Sequence, residues 1–81
     1  MLKSTLYFKE NNNTISKVED IKADNIEDLM EELLNVIAVN KGRKFYYNMA
    51  QWFFKKYDAA INTLSSKRKF EFTEDIWVIL N

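Results

Sequence analysis

The sequence predicts an α+β fold, in which an antiparallel sheet of three to four strands carries two helices packed on one face, in the order ββααββ. Segments near both ends alternate between polar and apolar side chains, and two segments between them repeat apolar residues at helical spacing. The composition, 47% hydrophobic and 15% aromatic, is sufficient for a buried core. Because a chain of 81 residues is short for more than one domain, residues 1–81 are expected to form a single compact domain.

The N-terminal segment predicts a β-hairpin. Residues 2–9 place their apolar side chains at even positions, which is typical of a half-buried strand. Three asparagines at 11–13 favour a turn, because asparagine tolerates left-handed backbone angles. A second strand is expected over Thr14–Ala23, and its apolar residues break the strict alternation, which indicates a bulge.

The next segment predicts an amphipathic helix. Asp24 is expected to cap its N-terminus, because it lies three residues before Glu27, the spacing of a capping box. Gly42 is the expected C-terminal stop. The apolar residues between them recur at intervals of three and four and form one stripe; they are Ile26, Leu29, Met30, Leu33, Leu34 and Ile37. The acidic residues on the opposite face indicate a solvated surface rather than a metal site, since the helix dipole favours acids near this end; they are Glu27, Asp28, Glu31 and Glu32.

A second helix is expected from about Arg43 to Ser65. Its apolar arc is wider than one packing surface requires, with Phe45 and Trp52 on one edge and Tyr47 and Phe54 on the other. The helix is therefore either wedged between the first helix and the sheet, or it keeps a surface for a partner.

The C-terminal segment favours a second hairpin, although residues 69–80 are also compatible with one long strand. Phe70 and Phe72 alternate with polar residues, and Thr73–Asp75 favours a turn. Because Ile76–Leu80 is apolar on both faces, this strand is expected in the centre of the sheet.

The composition excludes most catalytic chemistry. The chain has no cysteine, no histidine and one glycine, so it cannot supply a Cys or Ser–His nucleophile or a glycine-rich nucleotide loop. We therefore expect no enzyme, no catalytic residue, no metal and no cofactor. The Ala38-to-Gly42 spacing is that of a helix-turn-helix turn, but Lys41 and Arg43 flank the glycine where that motif needs apolar packing, so we reject it.

Charge is distributed unevenly along a chain whose formal net charge is zero. Residues 41–69 carry eight basic groups and one acidic group, interleaved with aromatic residues. Cations that crowd around Gly42, together with Trp52 among later lysines, favour a surface that meets an anionic partner. The expected partner-binding residues are Lys41, Arg43, Lys44, Trp52, Lys55 and Lys56.

By elimination, the sequence predicts a small protein-binding module that inhibits or modulates a bacterial host protein. The excess of lysine over arginine indicates an AT-rich coding sequence, so the chain looks like accessory phage or mobile-element products such as anti-CRISPR or host-takeover proteins; no motif matches a named family. A nucleic-acid-binding domain that uses residues 41–69 and a structural homodimer are the alternatives. The chain has no membrane-length apolar segment and no signal-peptide pattern, so we expect it in the cytoplasm of the host cell, without a membrane partner.

Overall fold

The computed structural model describes residues 1–10 and 14–81, so the turn predicted at 11–13 lies outside the described residues. The predicted α+β class and the order ββααββ are confirmed, with the second helical segment divided into two parts. The elements are β1 (Leu2–Lys9), β2 (Ile15–Ala23), α1 (Ile26–Lys41), α2 (Arg43–Phe53), a 3₁₀ turn (Phe54–Lys56), α3 (Tyr57–Lys67), β3 (Lys69–Thr73) and β4 (Ile76–Leu80).

The four strands form one antiparallel sheet in the order β2-β1-β4-β3. The last strand is central, as its two apolar faces predicted. It pairs with the first strand from Ser4–Leu80 to Phe8–Ile76, so the two ends of the chain meet in the middle of the sheet. The predicted second hairpin is also confirmed, because β3 and β4 are adjacent in the sheet and Glu74 and Asp75 form the turn between them.

The predicted bulge is present in β2, which begins at Ile15, one residue later than expected. Phe8 lies opposite Lys17 and Lys9 lies opposite Ile15, which leaves Ser16 as the extra residue. The Ser16 hydroxyl donates a hydrogen bond of 3.3 Å to the Phe8 carbonyl. Beyond the bulge the register continues without a shift to the Leu2–Ala23 pair.

The core lies between the helices and one face of the sheet. Cross-strand partners point to the same side of a sheet, so the buried residues of β1 and β4 line one surface. Ser4 also faces this side, and its hydroxyl donates a 2.9 Å hydrogen bond to the Ile21 carbonyl, which satisfies a buried polar group. The buried apolar residues are Leu6, Phe8, Ile21, Leu29, Met30, Leu33, Leu34, Ile37, Met49, Ala50, Phe53, Ala60, Leu64, Phe72, Ile76, Val78 and Leu80.

The N-cap of α1 is Asn25, so the prediction of Asp24 is wrong. The Asn25 side chain accepts a hydrogen bond of 2.9 Å from the Asp28 backbone N–H and donates one of 3.1 Å to the Asp28 carboxylate. Asn25–Asp28 and Asp24–Glu27 have the same spacing in the sequence. Because β2 ends at Ala23 and the helix begins at Ile26, the residue directly before the helix is Asn25 and not Asp24.

The second helical segment is not continuous, contrary to the prediction. It contains the tight turn Phe54–Lys56 and continues as α3 to Lys67, two residues beyond the expected end. No proline or glycine lies in this segment. Neither helix-breaking residues nor the spacing of the buried residues accounts for the interruption, since Phe53, Ala60 and Leu64 would also lie on one face of an unbroken helix. The backbone departs from helical angles at Lys56, with φ −121° and ψ 18°.

Replacing the two candidate caps separately tests the start of α1. Asn25→Ala should lower the free energy of unfolding by about 0.5–2 kcal/mol, because it leaves a first-turn N–H without its acceptor. Asp24→Ala should have little effect on stability. Urea denaturation of both variants measures the difference, and a larger loss for Asp24→Ala would contradict the assigned cap.

Phe53 and Phe54 are neighbours in sequence with opposite surroundings. Phe53 is fully buried, with its ring centroid 5.7 Å from those of Tyr57 and Phe72, whereas Phe54 is 61% exposed. Phe53→Ala should lower stability by about 3–5 kcal/mol, and Phe54→Ala by no more than about 0.5 kcal/mol. Equal losses in thermal denaturation would show that this part of the helical segment is rotated.

Candidate protein-binding surface

All six predicted partner-binding residues are exposed, and five of them lie in α2 or the 3₁₀ turn that follows it. The sixth, Lys41, is the last residue of α1. Two exposed aromatic residues of the same segment join them, Tyr47 at 58% and Phe54 at 61% exposure. We call this set the basic aromatic surface; it comprises Lys41, Arg43, Lys44, Tyr47, Trp52, Phe54, Lys55 and Lys56.

Helical periodicity gives α2 a polar ridge with an aromatic residue on each flank. At about 100° per residue, Lys44, Asn48 and Gln51 point outward together, and all three are exposed. Tyr47 lies on one flank of this ridge and Trp52 on the other. Met49, Ala50 and Phe53, on the opposite side of the helix, are buried, so the core fixes which side faces outward.

Two of the predicted cations are positioned by aromatic rings. The Lys56 ammonium lies 5.1 Å from the centroid of the Trp52 ring, a cation–π contact at the end of α2. The Lys41 ammonium lies 6.0 Å from the ring centroids of both Phe8 and Phe45. Trp52 and Lys56 are therefore in contact with each other, whereas Lys41 lies beside Phe8 and Phe45 at the edge of the core.

A shallow groove of about 270 Å³ lies where α1 ends and α2 begins. Arg43 supplies its charge, and Tyr46 and Tyr47 supply aromatic walls. Val39, 85% exposed, completes the apolar lining with Ala38. Val39 is not among the predicted site residues, although its place outside the apolar stripe of α1 indicates an exposed apolar side chain.

Lys41, Arg43 and Lys44 have no acidic neighbours along the chain, whereas Asp58 closely follows Lys55 and Lys56 and lines a groove with them. No Asp or Glu occurs between residues 33 and 57. The ion pairs formed within residues 1–10 and 14–81 are Lys9–Asp75, Lys17–Glu19 and Lys69–Glu71, and none includes a cation of the basic aromatic surface. Arg43 and Lys44 also lie in the first turn of α2, where the helix dipole opposes cations by a few tenths of a kcal/mol.

An acidic groove adjoins the basic aromatic surface, and Tyr46 lines both this groove and the one beside Arg43. Glu27, Asp28 and Glu31 line a groove with Tyr57 and the exposed ring of Phe54. Burial raises the pKa of the Tyr57 phenol above its ordinary value, and the negative charges of Glu27, Glu31 and Asp58 raise it further. An acidic groove and a basic groove therefore lie next to each other on the helical layer, and Phe54 lines the acidic one.

Tyr47 and Phe54 are not among the predicted site residues, although their positions in the sequence indicate that they are exposed. Both lie on the edge of the apolar arc, opposite the edge that carries Trp52. Because Trp52 is the only aromatic residue of the predicted site, that site has an aromatic side chain on one flank of α2 only. The exposed fractions of Tyr47 and Phe54 show that the second flank is equally open.

No protein-family model, no curated protein and no solved structure matches this chain. Within residues 1–10 and 14–81, no helix has the length and apolar character needed to span a bilayer. Function is therefore inferred from the chemistry of the surface that α2 presents.

The raised pKa of Tyr57 gives a signature of the acidic groove. Because the folded state holds the phenol proton more tightly than the unfolded chain, this contribution to stability is complete below pH 10.0, and it is lost as the pH rises through the folded-state pKa. Tyr57→Phe should remove a component of the tyrosinate absorbance titration that lies above the ordinary 10.0. Glu27→Gln should move that component to lower pH, and an unchanged titration in Glu27→Gln would contradict the charge contribution.

Proposed function

We propose that this chain is a non-enzymatic protein-binding module that holds an acidic face of a partner protein on its basic aromatic surface and thereby inhibits or modulates that partner. The observation that carries the proposal is a set of exposed cations that form no ion pair within the described residues, interspersed with exposed aromatic rings, from the end of α1 through α2 to the 3₁₀ turn. Tyr, Trp and Arg are the residues most enriched among binding hot spots. That the partner is a bacterial host protein, and that the chain comes from a phage or mobile element, stay predictions.

The arrangement of the charges supports an acidic protein partner. Complementary charge around apolar contacts sets orientation and speeds association. Arg43 at the mouth of the Val39–Tyr47 groove offers a guanidinium beside apolar walls, a setting that suits a carboxylate carried next to an apolar side chain. The unfavourable position of Arg43 and Lys44 in the first turn would be relieved by a bound carboxylate.

Single-stranded nucleic acid is the second candidate, because the same segment interleaves cations and rings. The ring geometry favours it less. Base stacking needs open ring faces, and the Lys56 ammonium lies over the Trp52 ring. The zero net charge of the chain also weakens non-specific attraction to phosphates.

The experiment compares affinity capture from a bacterial lysate by the wild-type chain, by Arg43→Glu/Lys44→Glu and by the control Lys3→Glu/Lys22→Glu. Both variants change the charge equally, and the control residues are exposed neighbours on β1 and β2. A nuclease-resistant partner should be retained by the wild type and the control and lost with Arg43→Glu/Lys44→Glu. Thermal stability of that variant should stay equal or rise by about 0.3–1 kcal/mol, since first-turn acids are favoured.

Three outcomes would contradict the proposal. Retention of the same partner by Arg43→Glu/Lys44→Glu would exclude the basic aromatic surface. Loss of binding in parallel with loss of thermal stability would make these residues structural. Capture that disappears after nuclease treatment, together with a steeply salt-dependent mobility shift with single-stranded DNA or RNA, would favour the nucleic-acid function.

A further inference from the structure

The outer edge of β2 has backbone groups directed away from the sheet. The Lys9 N–H donates to the Asp75 carbonyl and the Asn81 N–H donates to the Lys3 carbonyl, so odd residues of β1 bond toward β4. Even residues of β1 therefore bond toward β2, and their partners in β2 are the odd residues. It follows that Val18 and Asp20 direct their N–H and C=O groups to the open edge.

Val18 also ends a row of apolar side chains on the face of the sheet that the helices leave uncovered. Tyr7 lies opposite Val18 on one side and opposite Trp77 on the other. The Tyr7 and Trp77 rings stack with centroids 5.3 Å apart and planes 11° apart. The row stops at Val18, which is 52% exposed at the edge.

The charges of β2 on the helix side are arranged with opposite signs around Val18. Lys17 and Glu19 flank it, and their charged groups are 3.2 Å apart. The Lys17 ammonium is further held by a 2.6 Å hydrogen bond to the Asn40 side chain of α1. These contacts fix a positive group before Val18 and a negative group after it.

We propose that two copies of this chain pair through β2, antiparallel and centred on Val18, to form a continuous eight-stranded sheet. Around a two-fold axis at Val18, the two Val18 residues exchange backbone hydrogen bonds, and Lys17 of each copy lies opposite Glu19 of the other. The four charges then alternate in sign at the corners of a square. The apolar row becomes continuous across the six strands that run from Trp77 of one copy to Trp77 of the second copy.

Charge disfavours the registers centred on the residues next to Val18. The apolar row distinguishes this register from one centred on Ile21, which also pairs Asp20 with Lys22 but sets Val18 opposite Asp24. In an antiparallel pair, side chains directly opposite each other point to the same face of the sheet. A two-fold axis perpendicular to the sheet must therefore lie between two copies of one residue, which pair with each other. Centring on Glu19 or on Asp20 places two carboxylates directly opposite each other, which is destabilising. Centring on Val18 gives two attractive pairs, and the bulge at Ser16 limits the ladder to a few residues on either side.

The test measures self-association by sedimentation equilibrium for the wild type, Lys17→Glu, Glu19→Lys and the double variant Lys17→Glu/Glu19→Lys. Each single reversal converts both cross-copy pairs into like-charge pairs and should weaken dimerisation about tenfold or more. The double variant restores both attractive pairs and should dimerise like the wild type. A mixture of the two single variants should form heterodimers, because one then carries two acids and the other two lysines.

Matched controls are Lys3→Glu and Glu32→Lys, which change the charge equally at exposed residues outside β2 and should leave dimerisation unchanged. A monomeric wild-type chain at the highest soluble concentration would overturn the proposal. So would a dimer indifferent to the single reversals, or single variants that fail to combine in the mixture. The mixture keeps the test decisive if the double variant fails to fold. Because no residue of the basic aromatic surface lies in β2, these outcomes are independent of the partner-binding experiment.

Discussion

The corner at Gly42 is the constraint on which the arrangement of the helices depends. Its N–H donates to the Ala38 carbonyl at 2.9 Å and its own carbonyl accepts from the Tyr46 N–H at 3.1 Å, so one residue ends α1 and begins α2. Its backbone angles, φ 91° and ψ 165°, belong to a region that is essentially limited to glycine. A Cβ atom there would meet no atom within 4 Å, so the requirement for glycine comes from the backbone angles. With no linker between the helices, the end of α1 and the first turn of α2 place Lys41, Arg43 and Lys44 at one corner, and the positive end of the basic aromatic surface is a consequence of this junction.

Aromatic residues divide between core and surface according to helical rotation. Phe53 is the largest fully buried side chain, and its ring contacts Phe70 and Phe72 of β3 at centroid distances of 6.1 and 5.7 Å. One residue further, Phe54 points outward. Anchoring of Phe53 against β3 therefore determines which rings of α2 remain exposed, and the same packing that stabilises the fold leaves Tyr47 and Trp52 at the surface.

A formal net charge of zero conceals three distinct electrostatic surfaces. Glu27, Asp28 and Glu31 of α1 line a groove with Tyr57, and the cations of α2 form no ion pair within residues 1–10 and 14–81. On β2, Lys17 and Glu19 alternate around Val18 at an open sheet edge. Edges of this kind are usually protected by charges and bulges, and β2 has both; its charges, however, are spaced so that a second copy of the same strand complements them. The basic aromatic surface and the edge of β2 consist of different residues.

The sequence by itself determined the fold class, the order of the elements, the stripe of α1, the corner at Gly42 and the central position of β4, because each depends on local periodicity, on turn chemistry or on the burial of two apolar faces. It also located five of the six proposed site residues on one helical segment, since position along a helix follows from spacing. Three features were decided only by tertiary structure. Asn25 rather than Asp24 caps α1, because the end of β2 and the first buried turn of α1 fix the start of the helix, while the sequence offers the same spacing at both residues. The second helix is interrupted at Phe54–Lys56, where neither local propensity nor the spacing of the buried residues predicts a break. The pairing of β1 with β4, and with it the identity of β2 as an open edge, arises from contacts between residues more than sixty positions apart, which neither periodicity nor composition encodes.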